Sequence, residues 1–319
     1  MKIGIALCIA VGCSLATSVL QAQTWPQRPV KVIVPFTAGG NTDTQARIIS
    51  ERLSVAFGQQ IVVDNRPGAG GAIAAELVAR APADGYTLFF AATPQISIVP
   101  LIQKVNYDPL KDFAPISILG TNPLVLGVHI SMPAKTLREF IDYAKAHPGE
   151  LSYSSGGTGA VSHLSAALFA SRAGLKMTHI PYKGAQAVTD LVGGQVQMSF
   201  GNASDMLQHA KSDKIRMLAV TGEKRAPQLP DLPAIAELYP GYHTDTWNGL
   251  LAPAATPNAV IDRIGQEVAK AVRDPAMIER LNKIGVNALG NTPAEFAALL
   301  RSEALLWRDA VTAAGIKQE

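Results

Sequence analysis

The sequence predicts an α/β protein of two domains, and three observations carry that prediction. Short β-branched runs alternate with Gly- or Pro-marked loops and with helical stretches whose apolar residues recur at three- and four-residue spacing. The 319 residues are 48% apolar and 17% charged, the composition of a folded chain long enough for more than one core. A stretch of roughly 100 residues, 124–221, reads as a self-contained α/β unit, with strand and helix character resuming on both sides of it.

The first segment is of another kind. Lys2 is followed by an uncharged, mostly apolar run over 3–20 and then by Gln21-Ala22-Gln23, which predicts a secretory signal peptide, residues 1–22, cleaved after Ala22. A retained membrane anchor is the rival reading, since about 18 apolar residues can just span a bilayer. Cleavage leaves 297 of the 319 residues and removes Lys2 as its one charged residue, so the formal charge goes from +3 to +2. That balance argues against a nucleic-acid-binding surface. Cys8 and Cys13 both fall in the leader, so the remaining chain has no thiol for a disulfide or a metal and must rely on its cores.

Strands are expected at 30–34, 61–64, 86–91, 116–119, 124–128, 151–154, 178–180, 196–200, 215–221 and 247–251, in mostly parallel, doubly wound sheets. Helix starts are expected at Thr42 with Gln45, Thr136 with Glu139, Thr256 with Pro257, and Thr292 with Pro293 and Glu295, because each pairs a capping hydroxyl with Gln or Glu three places on, or with Pro directly after. The last helix sets Phe296, Leu299, Leu300, Leu306, Trp307 and Ala310 on one broad face and should dock on a core. The two helices from Thr256 and Thr292 are expected to return to the N-terminal domain. This makes 23–123 plus 223–319 a discontinuous first domain and 124–222 the second, with crossings near Pro123 and Gly222 acting as a hinge.

Three constellations point to chemistry. In KVIVPFTAGGNTDTQAR (31–47) a strand runs through Thr37-Ala38-Gly39-Gly40 into a helix start, which gathers unpaired N–H groups and the positive end of a helix dipole, a setting for carboxylate or phosphate. An ordinary strand-to-helix turn is the plain alternative, and neither nucleotide-binding glycine pattern is present. The device recurs in YSSGGTGAVSHL (153–164), where Ser154, Ser155, Thr158 and Ser162 offer hydroxyls and Gly156, Gly157 and Gly159 offer amides. One such loop per domain favours a carboxylated guest between them. The third is Ile180-Pro181-Tyr182-Lys183-Gly184, with Tyr182 as an aromatic wall and Lys183 as a point charge. Arg66, in the Gly-rich turn after the second strand, reads as tying down its own loop.

Enzyme signatures are absent. There is no G-x-S-x-G, and the six His residues stand at least 16 apart, which leaves no H-E-x-x-H. Ser162 and His163 are adjacent, so on a helix their side chains diverge, and His163 reads as a packing or capping residue.

These blocks resemble the tripartite tricarboxylate transporter substrate-binding receptors, the Bug family. The resemblance is carried by VPFTAGGNTDTQAR (34–47), VDNRPGAGG (63–71), ADGYTL (83–88), PAKTLREFIDYAKAHPGELSYSSGGTG (133–159), HIPYKGAQAVTDLVGGQV (179–196), LAVTGEKRAPQLPDLPAIAE (218–237), WNGLLAPAATP (247–257) and GNTPAEFAALLRSE (290–303), in one order from end to end. It implies a two-lobed, type II periplasmic binding protein that closes on a small carboxylate, without catalysis, cofactor or metal, and delivers it to a membrane transporter. Presentation of the ligand to a sensor kinase is a second use that the resemblance allows. The ligand loops it implies are Phe36, Thr37, Ala38, Gly39, Gly40, Thr42 and Asp43 on one lobe and Ser154, Ser155, Gly156, Gly157, Thr158, Gly159 and Ser162 on the other. Tyr182, Lys183 and Gly184 border the cleft, and Thr93 and Asn202 complete the set.

Two departures bear on the ligand. Ala160 stands where many relatives have Thr or Ser after Gly-Thr-Gly, and Gly201 stands where relatives often have Asp before Asn, which disfavours an ammonium-bearing ligand. Dicarboxylates, tricarboxylates, aromatic acids and acidic amino acids all remain in the expected class, with a monomer the expected state. A periplasmic serine hydrolase or transferase using Ser155 or Ser162 with His163 is the rival from another class.

Overall fold

The computed structural model describes residues 25–318 apart from 183–185 and 212, so the expected leader with Cys8 and Cys13 lies outside the described residues, as do Lys183 and Gly184. Eleven strands are described: β1 (Val30–Val34), β2 (Ile61–Asn65), β3 (Thr87–Ala92), β4 (Phe113–Asn122), β5 (Leu124–His129), β6 (Ser152–Ser155), β7 (Thr178–Pro181), β8 (Met198–Asn202), β9 (Ile215–Val220), β10 (Thr246–Pro253) and β11 (Asn287–Ala288). The α-helices are α1 (Asn41–Phe57), α2 (Ala72–Ala79), α3 (Val99–Ile102), α4 (Leu137–Ala146), α5 (Val161–Ala173), α6 (Gln186–Val192), α7 (Ala203–Ala210), α8 (Asn258–Ala271), α9 (Pro275–Lys283) and α10 (Pro293–Ala313).

Two sheets form two lobes, ordered β11-β4-β10-β3-β1-β2 and β7-β6-β8-β5-β9. Each is covered on both faces, and the side-chain alternation of a strand shows how. Val30, Val32 and Val34 of β1 enter the core under α1 and α8, while Ile33 between them enters the core under α2. In the second lobe Leu124, Leu126 and Val128 of β5 face α4 and α5, and Val125 faces α6 and α7.

The expectation of mostly parallel sheets is corrected: four strand pairs are parallel and five antiparallel. The cause is the traffic between lobes. β4 leaves the first lobe through Asn122-Pro123 and β10 re-enters at that same end, so β10 must run against β3 and β4. β5, arriving from the hinge, likewise runs against β8 and β9.

The return crossing also lies later than Gly222. Ala226, Leu229 and Ala234 pack with Val125 and Val196, and Ile235 and Tyr242 pack with Phe169, so this segment is built into the second lobe and the chain goes back where β10 begins.

Two expected caps hold and two do not. Thr136 accepts from the Glu139 amide, and Thr292 with Glu295 forms the reciprocal pair at the start of α10. α1 instead begins after Gly40 with Thr42 already inside it, and α8 begins after Pro257, so neither Thr42 nor Thr256 caps.

α10 is 21 residues, about 30 Å of helix, and it serves both lobes. Phe296 and Leu300 sit in the first-lobe core, whereas Leu306, Trp307, Ala310 and Val311 sit in the second-lobe core beside α5. Between these halves Glu303 is buried, accepting from Trp247 Nε1 of β10 at 2.8 Å and from Ser97 Oγ at 3.2 Å. Burial pushes its carboxyl up from 4.5 to about 8. Among the described residues no helix is long and apolar enough to cross a membrane.

A carboxyl raised in the fold keeps its proton where the unfolded chain has lost it, so stability falls as pH rises from about 4.5 toward 8. Denaturant unfolding of the wild type should lose on the order of 4 kcal/mol more than Glu303→Gln over that interval. Parallel pH profiles for the two proteins would contradict the assignment.

Candidate functional site

On the first lobe, β1 delivers the chain into the turn 35–40 and then into α1. Gly39 adopts φ +86°, a conformation that favours glycine, and Gly40 is the N-cap with no side-chain cap of its own. Asp43, expected in the ligand loop, is buried behind this turn. Its Oδ2 accepts from the Gly39 amide and from Arg47 Nε, both at 2.9 Å, and its Oδ1 accepts from Asn65 Nδ2 at 2.9 Å. Burial by itself raises the Asp43 carboxyl, but these bonds from Arg47, Gly39 and Asn65 outweigh it and hold the group below its ordinary value. Asn65 Nδ2 also donates to the Phe36 carbonyl at 3.0 Å, so the turn is fixed from behind. Arg66 grips Asp64 two residues back, as its own loop required.

The floor beside α1 is a cluster of four side-chain amides from three distant segments. Gln45 Nε2 donates toward Asn41, Asn122 and Asn248, Asn122 Nδ2 donates to Asn248 Oδ1 at 2.9 Å, and Asn248 Nδ2 donates to Thr42 Oγ1 at 3.1 Å. Asn122 and Asn248 belong to β4 and β10, the strands of the interlobe crossings. Thr93 is buried below, its Oγ1 accepting from the Trp247 amide.

On the second lobe, β6 feeds the turn 156–160 and α5. Here the serine hydroxyls have partners within the lobe. Ser154 Oγ donates to the Ala187 carbonyl inside the lobe, and Ser155 Oγ contacts both the amide and the carbonyl of Gly157. The Gly156 amide donates to Ser162 Oγ at 3.0 Å, and the Gly159 amide to His163 Nδ1 at 3.2 Å. The open amides are therefore one step further on, in the first turn of α5, ahead of the first intrahelical bond from Leu164 to Ala160. Ala160 as the N-cap has no side-chain acceptor, so they stay uncapped. α7 starts in the same way after Asn202.

Phe36, Asn41, Thr42, Asn122, Asn202, Ala203, Asn248 and Gly285 line one cavity of about 140 Å³ between the lobes. Gly156, Val161, Ser162, Gly201, Asn202 and Asp205 line a second of about 330 Å³, and Asn202 belongs to both. Three helix N-termini without side-chain caps, those of α1, α5 and α7, thus end in one cleft. No Lys or Arg lines either cavity among the described residues. Of the expected residues, Thr37, Ala38, Gly39, Gly40, Gly157, Thr158, Gly159 and Tyr182 line neither cavity. Tyr182 packs toward α6 with its hydroxyl paired to Asp190. Sequence reasoning did not single out Asn122, Asn248, Ala203 or Gly285, while Asn41 lay inside the expected loop 36–43 without being named by itself. Asp205 lies on the same wall as Gly201, and a Cβ at Gly201 would meet Met206 at 2.6 Å.

The family model for the tripartite tricarboxylate transporter family receptor matches residues 45–315. This chain belongs to that family. The receptor is 34% identical to the protein BugT of Bordetella pertussis over 319 residues, 98% of each chain. Its fold matches that of a protein of R. palustris with adipate at TM-score 0.78 and 37% identity, over 92% of this chain and all of the other. It also matches MatC of Rhodopseudomonas palustris with bound malate at TM-score 0.72 and 32% identity, over 90% of this chain and all of the other. The receptor is a solute-binding protein of the periplasmic type, and its matched neighbours are binding proteins.

The hydrolase arrangement does not assemble. Ser162 bonds the Gly156 amide and His163 the Gly159 amide, while Ser155 meets His179 at 2.7 Å with its hydroxyl buried and engaged by Gly157.

Asp43→Asn should cost on the order of 1–2 kcal/mol at pH 7, because three donors lose a charged acceptor. A carboxyl lowered in the fold stabilises above its unfolded value and ceases to do so as pH falls through the folded one. Unfolding curves for wild type and variant should accordingly converge on acidification; a gap constant down to pH 3 would be the contrary result.

Proposed function

We propose that the receptor captures a small carboxylated molecule, a dicarboxylate first of all, between its lobes and delivers it to a membrane transporter. The observation that carries this reading is the convergence of uncapped helix N-termini from both lobes on a cleft whose described lining holds no cationic side chain. Backbone amides and helix dipoles are then the anion-binding groups, and they suit carboxylates. One carboxylate is assigned to the first turn of α1 and the other to the first turn of α5. α7 has Asp205 in its own first turn, which opposes an anion, so Asn202 and Asp205 take a hydroxyl or another donor on the ligand. That pairing keeps a hydroxylated acid and an acidic amino acid within the class. Adipate and malate in the structural neighbours support the reading. The two-strand crossing beside the pocket suits hinge closure, in which a ligand touching both lobes favours the closed population and the transporter reads the closed shape.

A thermal-shift panel of aliphatic and aromatic mono-, di- and tricarboxylates and amino acids tests this. Ligand at about 100 times Kd stabilises by roughly 2.7 kcal/mol, a rise of several degrees in a chain of this size. No rise with any carboxylate, in folded protein free of co-purified ligand, would refute it.

Gly39→Val and Gly157→Val force a β-branched residue into φ +86° and +130°. Each should weaken the bound carboxylate by at least tenfold in calorimetry. Affinity unchanged in both variants would move the site elsewhere.

A further inference from the structure

His163 and His179 stack face to face behind the second-lobe turn, with ring centroids 3.6 Å apart and planes 6° apart. Tyr153 continues the stack, 5.0 Å from His179 and 6.3 Å from His163. One ring comes from α5 and the other from β7, and each reaches a different part of the same turn. The Gly159 amide donates to His163 Nδ1 at 3.2 Å. Ser155 Oγ lies 2.7 Å from His179 Nε2 and accepts from the Gly157 amide at 3.2 Å. Both glycines have positive φ, a shape that glycine permits but does not by itself select among the many open to it, so the bonds from behind are what choose it.

We propose that the stacked imidazoles of His163 and His179 are the positioning element of the 156–160 turn, His163 acting through the unprotonated lone pair of its Nδ1. The proposal deepens the reading above, because this turn and the α5 terminus after it form the second-lobe half of the site.

The chemistry is one-directional. A backbone amide can only donate, so His163 must accept through Nδ1 and carry its proton on Nε2. Everything facing the ring favours that neutral form. His163 lies in the first turn of α5, at the positive end of the helix dipole. Lys176 before β7 and Lys317 after α10 are the charged residues lining the groove of about 910 Å³ on the far side, and no carboxylate lines it. Burial, reinforced by His179, pushes His163 down to about 4, and burial lowers His179 as well. The rings are therefore neutral at pH 7 and stack without repulsion.

The test compares two non-aromatic amides at one position. In His163→Asn the side-chain Oδ1 falls where Nδ1 was, whereas His163→Gln reaches past it. Amide hydrogen exchange across 155–162 in the ligand-free protein should stay near wild type in H163N and quicken at least tenfold in H163Q. Calorimetric affinity for adipate should follow, within about threefold for H163N and at least tenfold weaker for H163Q. Equal behaviour of the two variants, intact or impaired alike, would overturn the lone-pair role. Ser155→Ala leaves both rings in place and removes the hydroxyl between His179 and Gly157; exchange at Gly157 should quicken, and no change there would remove His179 from the device. A wild type that binds no dicarboxylate would refute the proposed function and leave the exchange measurements to decide the positioning role.

Discussion

The antiparallel pairing of β4 with β10 is the constraint from which the rest of the molecule follows. It runs from Thr246 opposite Asn122 to Pro253 opposite Phe113, with register shifts on the way, and it sits where the chain leaves and regains the first lobe. Because β4 ends and β10 begins at the crossing, Asn122 and Asn248 meet there. They close the amide cluster with Gln45 and Thr42, so the connection between lobes and the floor of the cleft are one structure. A change in the angle between lobes must move a wall of the pocket relative to that floor.

The cleft keeps its backbone open by assigning side chains elsewhere. In each lobe a strand ends, a glycine turn follows and a helix starts without a side-chain cap, while polar side chains behind the turn hold its shape. Asp43 with Asn65 serves the first lobe, and Ser155 with the two histidines serves the second. Away from the cleft, α4, α9 and α10 are capped by Thr136, Asp274 and Thr292. A Thr at 160 would have offered α5 an acceptor; Ala160 leaves its amides to whatever enters the cleft.

α10 adds a tie that the two strand crossings do not provide. Its two ends are buried in different cores, so relative motion of the lobes must be taken up along its length, near Glu303 and the contacts with Trp247 and Ser97. A buried carboxyl kept protonated by its surroundings can make these bonds without the cost of an unpaired buried charge.

Much was legible in the amino-acid order alone, and for local reasons. Runs such as 30–34 and 151–154 match β1 and β6 to within a residue because β-branched or alternating residues bounded by Gly and Pro report the backbone directly. Thr136 and Thr292 begin helices as expected because a capping box spans four residues. The same pattern misled at Thr42, whose hydroxyl is taken by Asn248 some two hundred positions away, and at Asp43, whose charge is turned inward toward Arg47 and Asn65. Strand direction, the double allegiance of α10, the stacking of His163 on His179 and the amide floor were decided only by tertiary structure. Periodicity and caps describe what a segment does with its own backbone. Which end of a sheet the chain re-enters, and which side chains from distant segments then share one buried volume, depends on packing, and no local pattern encodes it.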